Sequence, residues 1–287
     1  MSKKALAIMI LYYPDVDDVI NKVELIKKSG TDVILFDNTD SIYDRQKIEK
    51  VAELYHHNFT NVGLDFAFNK IVKSKLNFYD YFVFFDQDSD IETSTLFNLL
   101  NCFHKNKDKY NIGIMAAYPE RCDGDDYRPL VINKLTNDLV SVKAVPSSYS
   151  IISKELFLSI GEFQSDFFID FIDYDYSLRA RDHSYLVVIN KKYRFKHNIG
   201  NGSRSFFGIY ITPNSTPFRH YYQIRNSLMS HKRRGVNKKE YLKTIIRRLF
   251  SLFINCIFEP RSTIKRVKYF CLGLYHFYLG KMGKLND

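Results

Sequence analysis

Short apolar runs alternate with amphipathic stretches from residue 5 to residue 90, and this alternation constrains the fold more than any other feature of the sequence. The runs at residues 5–13, 32–36 and 81–85 are continuous and apolar, and polar or turn-forming residues follow each one, as in buried strands. Residues 16–29 and 66–74 carry apolar side chains at helical spacing. The order β-α-β-α-β predicts an α/β fold with parallel strands and helices on both faces of the sheet.

Residues 45–55 are also expected to be helical, and they would lie between the second and third of these strands. In such sheets ligands bind beyond the carboxyl ends of the strands, which is where Tyr13, Asp37 and Asp86 fall. The sequence therefore predicts a binding crevice at this edge.

Two carboxylates, Asp86 and Asp88, directly follow the third apolar run. Hard divalent cations such as Mg²⁺ prefer oxygen ligands and keep positions open for water and substrate phosphates. One carboxylate can hold the metal while the other accepts a hydrogen bond from a ribose. A pair of acids two residues apart is more often a solvated turn, but its place at the end of a buried strand favours a nucleotide site.

The positive charge of the chain is concentrated near its C-terminus. The 287 residues carry a net charge of +10. Residues 232–287 hold 14 basic and 3 acidic side chains, a net charge of +11, whereas residues 1–231 hold 28 and 29, a net charge of −1. A nucleic-acid enzyme would carry positive charge around its cleft, so a nearly neutral main part argues against nucleic acid as a partner.

The basic segment, residues 232–287, reads as a separate helical extension of a domain at residues 1–231. Apolar residues recur at helical spacing from Leu242 to Ile257, and a second amphipathic stretch follows Pro260. Its uncharged runs are too short to span a bilayer. Two alternatives remain open: basic helices lying on an anionic membrane surface, or a helical pair packed on the main domain with solvated charges.

Five segments share motifs with one enzyme family. They are Tyr12-Tyr13-Pro14, Asp37-Asn38-Thr39, Asn61-Val62-Gly63 with Asn69, and Phe85-Asp86-Gln87-Asp88-Ser89, together with the longest match at residues 161–197. In this order they resemble family 2 glycosyltransferases of the GT-A fold, and within that family the bacterial rhamnosyltransferases that use dTDP-L-rhamnose. The resemblance covers about residues 5–230 and implies a mixed central sheet flanked by helices, followed here by the basic helical extension.

The resemblance also implies a catalytic base near the start of the helix that carries Leu178-Arg179-Ala180-Arg181. It places this base at Asp173, with Ile172 where many relatives have Glu. An inverting reaction needs a carboxylate that takes a proton from the acceptor hydroxyl. Asp170 and Asp175 are the neighbouring alternatives, although Asp170 can cap the helix and Asp175 can pair with Arg179 at i,i+4 spacing.

Further roles follow from the resemblance alone. Donor and nucleotide binding is expected of Tyr12, Asp37, Asn38, Gly63, Asp86, Gln87 and Arg225, and metal binding of Asp88 and His197. The metal would be Mg²⁺ or Mn²⁺. Arg225 lies in a YYxxRN element and can neutralise charge on the leaving dTDP, or it can pack in a helix against the main domain.

The expected activity is transfer of L-rhamnose from dTDP-L-rhamnose to a lipid-linked or polysaccharide acceptor in bacterial cell-surface glycan synthesis. Alternatives are a UDP-sugar donor (galactofuranose, GlcNAc or glucose) or a non-catalytic sugar-nucleotide-binding protein. The segment 147–150 departs from the Gly-containing strand of the family, so acceptor preference is not carried over. We expect a cytoplasmic protein, peripheral at the inner face of the cell membrane.

Overall fold

The computed structural model describes residues 4–56, 59–121, 129–197, 204–206, 209–211 and 216–285, with the side chains of residues 121, 197, 204–206 and 209–211 left aside. The strands are β1 (Ala5–Leu11), β2 (Asp32–Asp37), β3 (Glu53–His56), β4 (Tyr81–Asp86), β5 (Ile112–Arg121), β6 (Val131–Lys134), β7 (Leu139–Val142), β8 (Ser150–Ser153), β9 (Leu186–His197), β10 (Arg204–Phe206) and β11 (Ile209–Ile211). The helices are α1 (Val16–Lys28), α2 (Gln46–Glu49), α3 (Leu64–Lys75), α4 (Thr93–Tyr110), α5 (Lys154–Ile160), α6 (Ile172–Asp182), α7 (Arg219–Arg233), α8 (Lys238–Phe258) and α9 (Thr263–Leu279), with a 3-10 turn at Pro260–Ser262.

Nine of these strands form one mixed sheet in the order β3-β2-β1-β4-β8-β5-β9-β7-β6, and β10 pairs with β11 separately. Strands β1 to β4 are parallel, and the sequence predicts three of them, β1, β2 and β4. Strand β8 lies antiparallel between β4 and β5, and this placement makes the sheet mixed. The α/β class with a mixed central sheet is confirmed.

The core lies on both faces of the sheet because β1, and β4 up to Phe85, are apolar at every position. In β1, Leu6, Ile8 and Ile10 pack into the cluster on one face, and the alternating residues of β1 pack into the cluster on the other. Strand β4 divides in the same way, since successive side chains of a strand point to opposite faces. A continuous apolar run is the expected result of burial on both faces.

The prediction of a helix over residues 45–55 is wrong. A short helix, Gln46–Glu49, is followed by β3, which pairs in parallel with β2 at the edge of the sheet. Pairing of the backbone with β2 therefore overrides the local helical spacing, because tertiary contacts outweigh weak local preferences.

The basic segment packs against the end of the main domain through α7. Leu252 of α8 and Phe270 of α9 join Ile224 and Leu228 of α7 in a small buried cluster. Gly273 lets α9 approach α7 closely, because a Cβ there would lie 2.6 Å from the backbone oxygen of Tyr221. One face of the segment is therefore packed, as the second alternative expects, and the domain boundary at residue 231 stays a prediction. Within the described ranges, each helix is too short or too polar to traverse a bilayer.

Candidate active site

The turn that follows β4 is fastened to the end of β1 by the side chain of Gln87. Its Oε1 accepts a hydrogen bond from the Tyr12 amide at 2.7 Å, and its Nε2 donates to the Tyr12 oxygen at 2.9 Å. Lys22 on α1 donates to the Gln87 carbonyl oxygen at 2.5 Å. The Gln87 amide thus orients the turn that carries Asp86 and Asp88, while the Tyr12 ring stays 45% exposed in the crevice.

Three carboxylates meet at this edge of the sheet. Burial, then the charge of Asp88 and then that of Asp173, together raise the pKa of Asp86 to about 7, which places the three carboxylates in one electrostatic neighbourhood. Asp88 is exposed to solvent. The structure therefore brings together the strand-end acids and the predicted base, which are 85 or more residues apart in the sequence.

Asp173 lies in the first turn of α6, where helix N-termini favour negative charge. Its Oδ1 accepts a hydrogen bond from the Tyr174 amide at 2.7 Å, and the backbone of Ser147 donates a further one. Burial raises the pKa of Asp173, and the charge of Asp170 adds to this effect. A carboxylate whose pKa is raised accepts a proton more readily than one at its ordinary value.

The two alternative acids are held in ion pairs. Asp175 is buried and pairs with Arg179 at 2.9 Å, at the i,i+4 spacing expected from the sequence. Asp170 accepts two hydrogen bonds from Arg219, at 2.6 and 3.1 Å. Among the described residues, Asp173 receives backbone N–H donors and no such ion pair, so its carboxylate is the better placed of the three to take a proton.

Residues 163–171, here called the acid loop, precede α6 in a strained conformation. Phe168, Asp170 and Phe171 have φ angles of 69°, 62° and 69°, in the left-handed region that side chains other than glycine disfavour. Each such residue costs about 1 kcal/mol or more, so the surrounding structure has to impose the conformation.

Helix α3 holds the acid loop from one side. The buried carboxylate of Asp65 accepts hydrogen bonds from the Phe167 and Phe168 amides, both at 2.9 Å. Asn69 makes a two-way pair with the backbone of Phe163, also at 2.9 Å. The segment that begins at Gly63, a predicted donor-binding residue, therefore also positions the acid loop. The local sequence does not reveal this function.

Helix α7 holds the acid loop from the other side. Asn226 is fully buried, and its Nδ2 lies 3.0, 2.8 and 2.9 Å from the carbonyl oxygens of Phe167, Ile169 and Asp170. Arg225 donates to the oxygens of Phe167 and Gly283 at 3.2 and 2.8 Å. These contacts fix the loop that leads into the base-bearing helix.

Arg225 accordingly matches the packing alternative, because its guanidinium is fully buried and bonded within the fold. Arg219, at the start of α7, is the arginine that faces the carboxylates. Besides Asp170, the charges of Asp173 and Asp86 raise its pKa. Sequence reasoning missed Arg219 because its partner lies 49 residues away, although its place two residues before the YYxxRN element was a usable signal.

Two residues predicted to bind the nucleotide are buried at the end of β2. Asp37 accepts from Arg45 at 2.5 Å and from the Thr39 amide at 2.9 Å. Asn38 donates to the Gly63 oxygen at 3.1 Å and accepts from the Val62 amide at 3.2 Å. Both are buried and bonded within the fold, and their contact with a base stays a prediction.

The donor set suits a hard divalent cation. Asp86 and Asp88 offer carboxylate oxygens in a turn, and burial together with the charge of Asp88 raises the pKa of Asp86. His197, the other predicted ligand, ends β9, and its side chain lies outside the described residues. In the described part of the chain, no group of three or more His, Cys, Asp or Glu side chains is arranged to hold a metal ion.

Comparison with known proteins gives one sequence relative and several structural ones, while no family model matches. The chain is 26% identical over 250 residues to the dTDP-rhamnosyl transferase RfbF of Shigella flexneri, covering 80% of each chain. A structure of S. aureus TarS 1-349 with UDP-GlcNAc aligns with TM-score 0.56 and 12% identity, covering 97% of this chain and 92% of that one.

A structure of GalNAc-T7 with UDP, GalNAc and Mn²⁺ aligns with TM-score 0.58 and 10% identity, covering 96% of this chain and 56% of that one. Another TarS structure aligns with TM-score 0.57 and 14% identity, and the chain spans 43% of its length. The chain therefore has the GT-A fold, and its resemblance to these glycosyltransferases is confirmed. Glycosyl transfer is the class of activity that the comparisons support.

Proposed function

We propose that this chain is an inverting, metal-dependent glycosyltransferase that moves L-rhamnose from dTDP-L-rhamnose to a lipid-linked or polysaccharide acceptor in bacterial cell-surface glycan synthesis. The observation that carries this proposal is the meeting of Asp173 with the Asp86-Gln87-Asp88 turn, since the charge of Asp173 acts directly on Asp86. The similarity to a dTDP-rhamnosyl transferase supports the choice of donor.

Asp173 would act as the general base. Its carboxylate takes the proton of the acceptor hydroxyl while that oxygen forms a bond to C1 of the sugar. The bond from C1 to the diphosphate oxygen breaks on the opposite side, so the configuration at C1 inverts and dTDP leaves with the bonding electron pair. The backbone hydrogen bonds from Tyr174 and Ser147 hold the carboxylate in position during this step.

Asp86 and Asp88 would hold Mg²⁺ or Mn²⁺, with His197 as a further ligand. When bound, the cation supplies positive charge to the diphosphate of the donor and of the leaving dTDP. The Mn²⁺ in the GalNAc-T7 structure supports a divalent cation in this fold. Gln87 holds the turn that carries both carboxylates through its pair with Tyr12.

Arg219 would supply a second positive charge to the leaving diphosphate. We expect the Arg219→Gln variant to lose about 10²-fold in kcat, because one preorganised donor to a developing anion is worth about this factor. The Arg234→Gln variant is the matched control, since Arg234 directly follows the same helix and pairs with Asp182, outside the acid loop, at 2.5 Å. Release of dTDP under saturating donor measures both, and equal rates in the two variants would remove Arg219 from this function.

A UDP-sugar donor is the second candidate, because the TarS structure that shares this fold holds UDP-GlcNAc. The test is a donor panel: purified protein with Mg²⁺ or Mn²⁺, a membrane extract as acceptor source, and dTDP-L-rhamnose, UDP-galactofuranose, UDP-GlcNAc or UDP-glucose. We expect nucleotide diphosphate release from dTDP-L-rhamnose to exceed that from each UDP-sugar by about tenfold or more. Metal-dependent dTDP binding without turnover of any donor would identify a non-catalytic sugar-nucleotide-binding protein.

The proposal places the catalytic domain at residues 1–231 and the enzyme at the inner face of the cell membrane. The packing of residues 232–285 on α7 supports an extension that is attached to the catalytic domain. A membrane location would bring the site to a lipid-linked acceptor.

A further inference from the structure

Helix α8 is amphipathic, and its apolar face points away from the protein. Six large apolar side chains on this face are between 38% and 60% exposed; they are Leu242, Ile246, Leu249, Phe250, Phe253 and Ile257. They recur every three or four residues, so they form one continuous stripe about 22 Å long, here called the α8 stripe. A contiguous apolar surface of this kind marks an interaction site.

A different face of α8 is already occupied, so the stripe is not a misplaced core face. Leu252 is buried in the cluster with α7 and α9, and Tyr241, Ile245 and Cys256 pack against the same cluster. One face of α8 thus packs against α7 and α9, and a second apolar face remains exposed.

The charge around the stripe indicates what covers it. Lys239 and Arg247 are exposed on α8, in line with the stripe or beside it, and Glu240 is the one acidic residue of that helix. Residues 232–287 carry a net charge of +11. A second copy of this chain would bring the same excess of positive charge to the contact, whereas an anionic bilayer offers apolar depth and negative headgroups together.

We infer that the α8 stripe docks the protein on an anionic lipid bilayer, with Phe250 and Phe253 in the interfacial region and Lys239 and Arg247 at the headgroups. This inference deepens the proposed function, because it supplies the surface on which a lipid-linked acceptor would be met.

The structure also connects the docked helix with the candidate site. Arg248, on the packed face of α8, lies with its guanidinium carbon 5.7 Å from the ring centroid of Phe171 in the acid loop. The negative charge of Asp170, in the same loop, also attracts the Arg248 guanidinium. A bilayer bound to the stripe would therefore lie roughly one helix diameter, about 10 Å, from the acid loop. The base-bearing segment would face an acceptor whose lipid remains in the membrane.

The test is flotation of the full chain with vesicles of phosphatidylcholine alone or with one third phosphatidylglycerol. We expect binding to the anionic vesicles, and a loss of at least about tenfold in bound fraction for the Phe250→Ser/Phe253→Ser variant. The Phe78→Ser/Phe97→Ser variant is the matched control, because it removes two exposed phenylalanines from the main domain, 67% and 53% exposed. The control should bind as the unchanged protein does.

The charge is tested separately with Lys239→Glu/Arg247→Glu against Lys105→Glu/Lys109→Glu on α4. The first pair should weaken binding to anionic vesicles, and the second should not. Equal binding to neutral vesicles, or binding that the stripe variant retains, would overturn the inference. So would a dimer in light scattering that the stripe variant dissociates, because a second copy would then cover the stripe.

Donor turnover keeps this inference separate from the proposed function. We expect the stripe variant to release dTDP from dTDP-L-rhamnose at the rate of the unchanged protein when a detergent-solubilised membrane extract supplies the acceptor. Lost vesicle binding with intact turnover supports docking alone. Intact vesicle binding without turnover of any donor would remove the proposed function and leave the docking surface.

Discussion

The Asp173→Asn variant is expected to lose about 10³-fold in kcat for glycosyl transfer while its affinity for dTDP stays within about threefold of the unchanged value. Asparagine keeps the size of the side chain and can still accept a hydrogen bond from Tyr174, but it cannot take the acceptor proton. Initial rates of dTDP release and dTDP titration by calorimetry measure the two quantities.

Three further variants locate the base. Asp182→Asn is the control for the same change on the same helix, and it should retain activity, because Asp182 is 45% exposed and pairs with Arg234 away from the acids. Asp175→Asn should chiefly lower stability, since it leaves Arg179 without its ion-pair partner. If Asp170→Asn abolished transfer and Asp173→Asn did not, Asp170 would be the base.

The Gly63→Ala variant is expected to lose roughly 2 to 4 kcal/mol of unfolding free energy. Gly63 has a φ of 92°, and a Cβ there would lie 2.7 Å from the Phe168 oxygen and 2.9 Å from the Phe168 Cα. Because backbone atoms of the acid loop cannot move aside cheaply, the loop would shift. Urea unfolding measures the loss, and transfer activity at a temperature where the variant is folded measures the shift.

Gly30→Ala separates the two causes of this loss. Gly30 has a φ of 79°, similar to that of Gly63, but its Cβ position has nothing within 4 Å. We expect about 1 kcal/mol for Gly30→Ala, from backbone strain alone, with activity unchanged. Equal losses in the two variants would show that Gly63 does not brace the acid loop.

Much of the fold could be predicted because the central strands are apolar on both faces. Residues 32–36 and 81–85 gave β2 and β4 nearly to the residue, and the first apolar run gave β1. The edge strand β3 could not be predicted in this way, because its four residues have no continuous apolar pattern. Its strand conformation comes from backbone pairing with β2. The insertion of β8 between β4 and β5 is likewise a long-range pairing that no local pattern contains.

The candidate site was predictable where a motif follows a strand or begins a helix. Asp86, Asp88 and Asp173 belong to such motifs, and the structure brings them together, although their catalytic and metal-binding roles stay predictions. The contacts that hold the acid loop were not predictable. Asn69 and Asn226 bind backbone atoms 94 and 56 to 59 residues away, and a sequence motif does not show which distant backbone its side chains will contact.

The central claim is that Asp173 and the Asp86-Gln87-Asp88 turn form one sugar-transfer site. The most direct measurement follows radiolabelled rhamnose from dTDP-L-rhamnose, in the presence of Mg²⁺ or Mn²⁺, into the lipid and polysaccharide fractions of a bacterial membrane extract. The account predicts label in one of these fractions and equimolar dTDP with the unchanged protein, and neither with Asp173→Asn. Equal label with both proteins, or donor binding without any transfer by the unchanged protein, would contradict it.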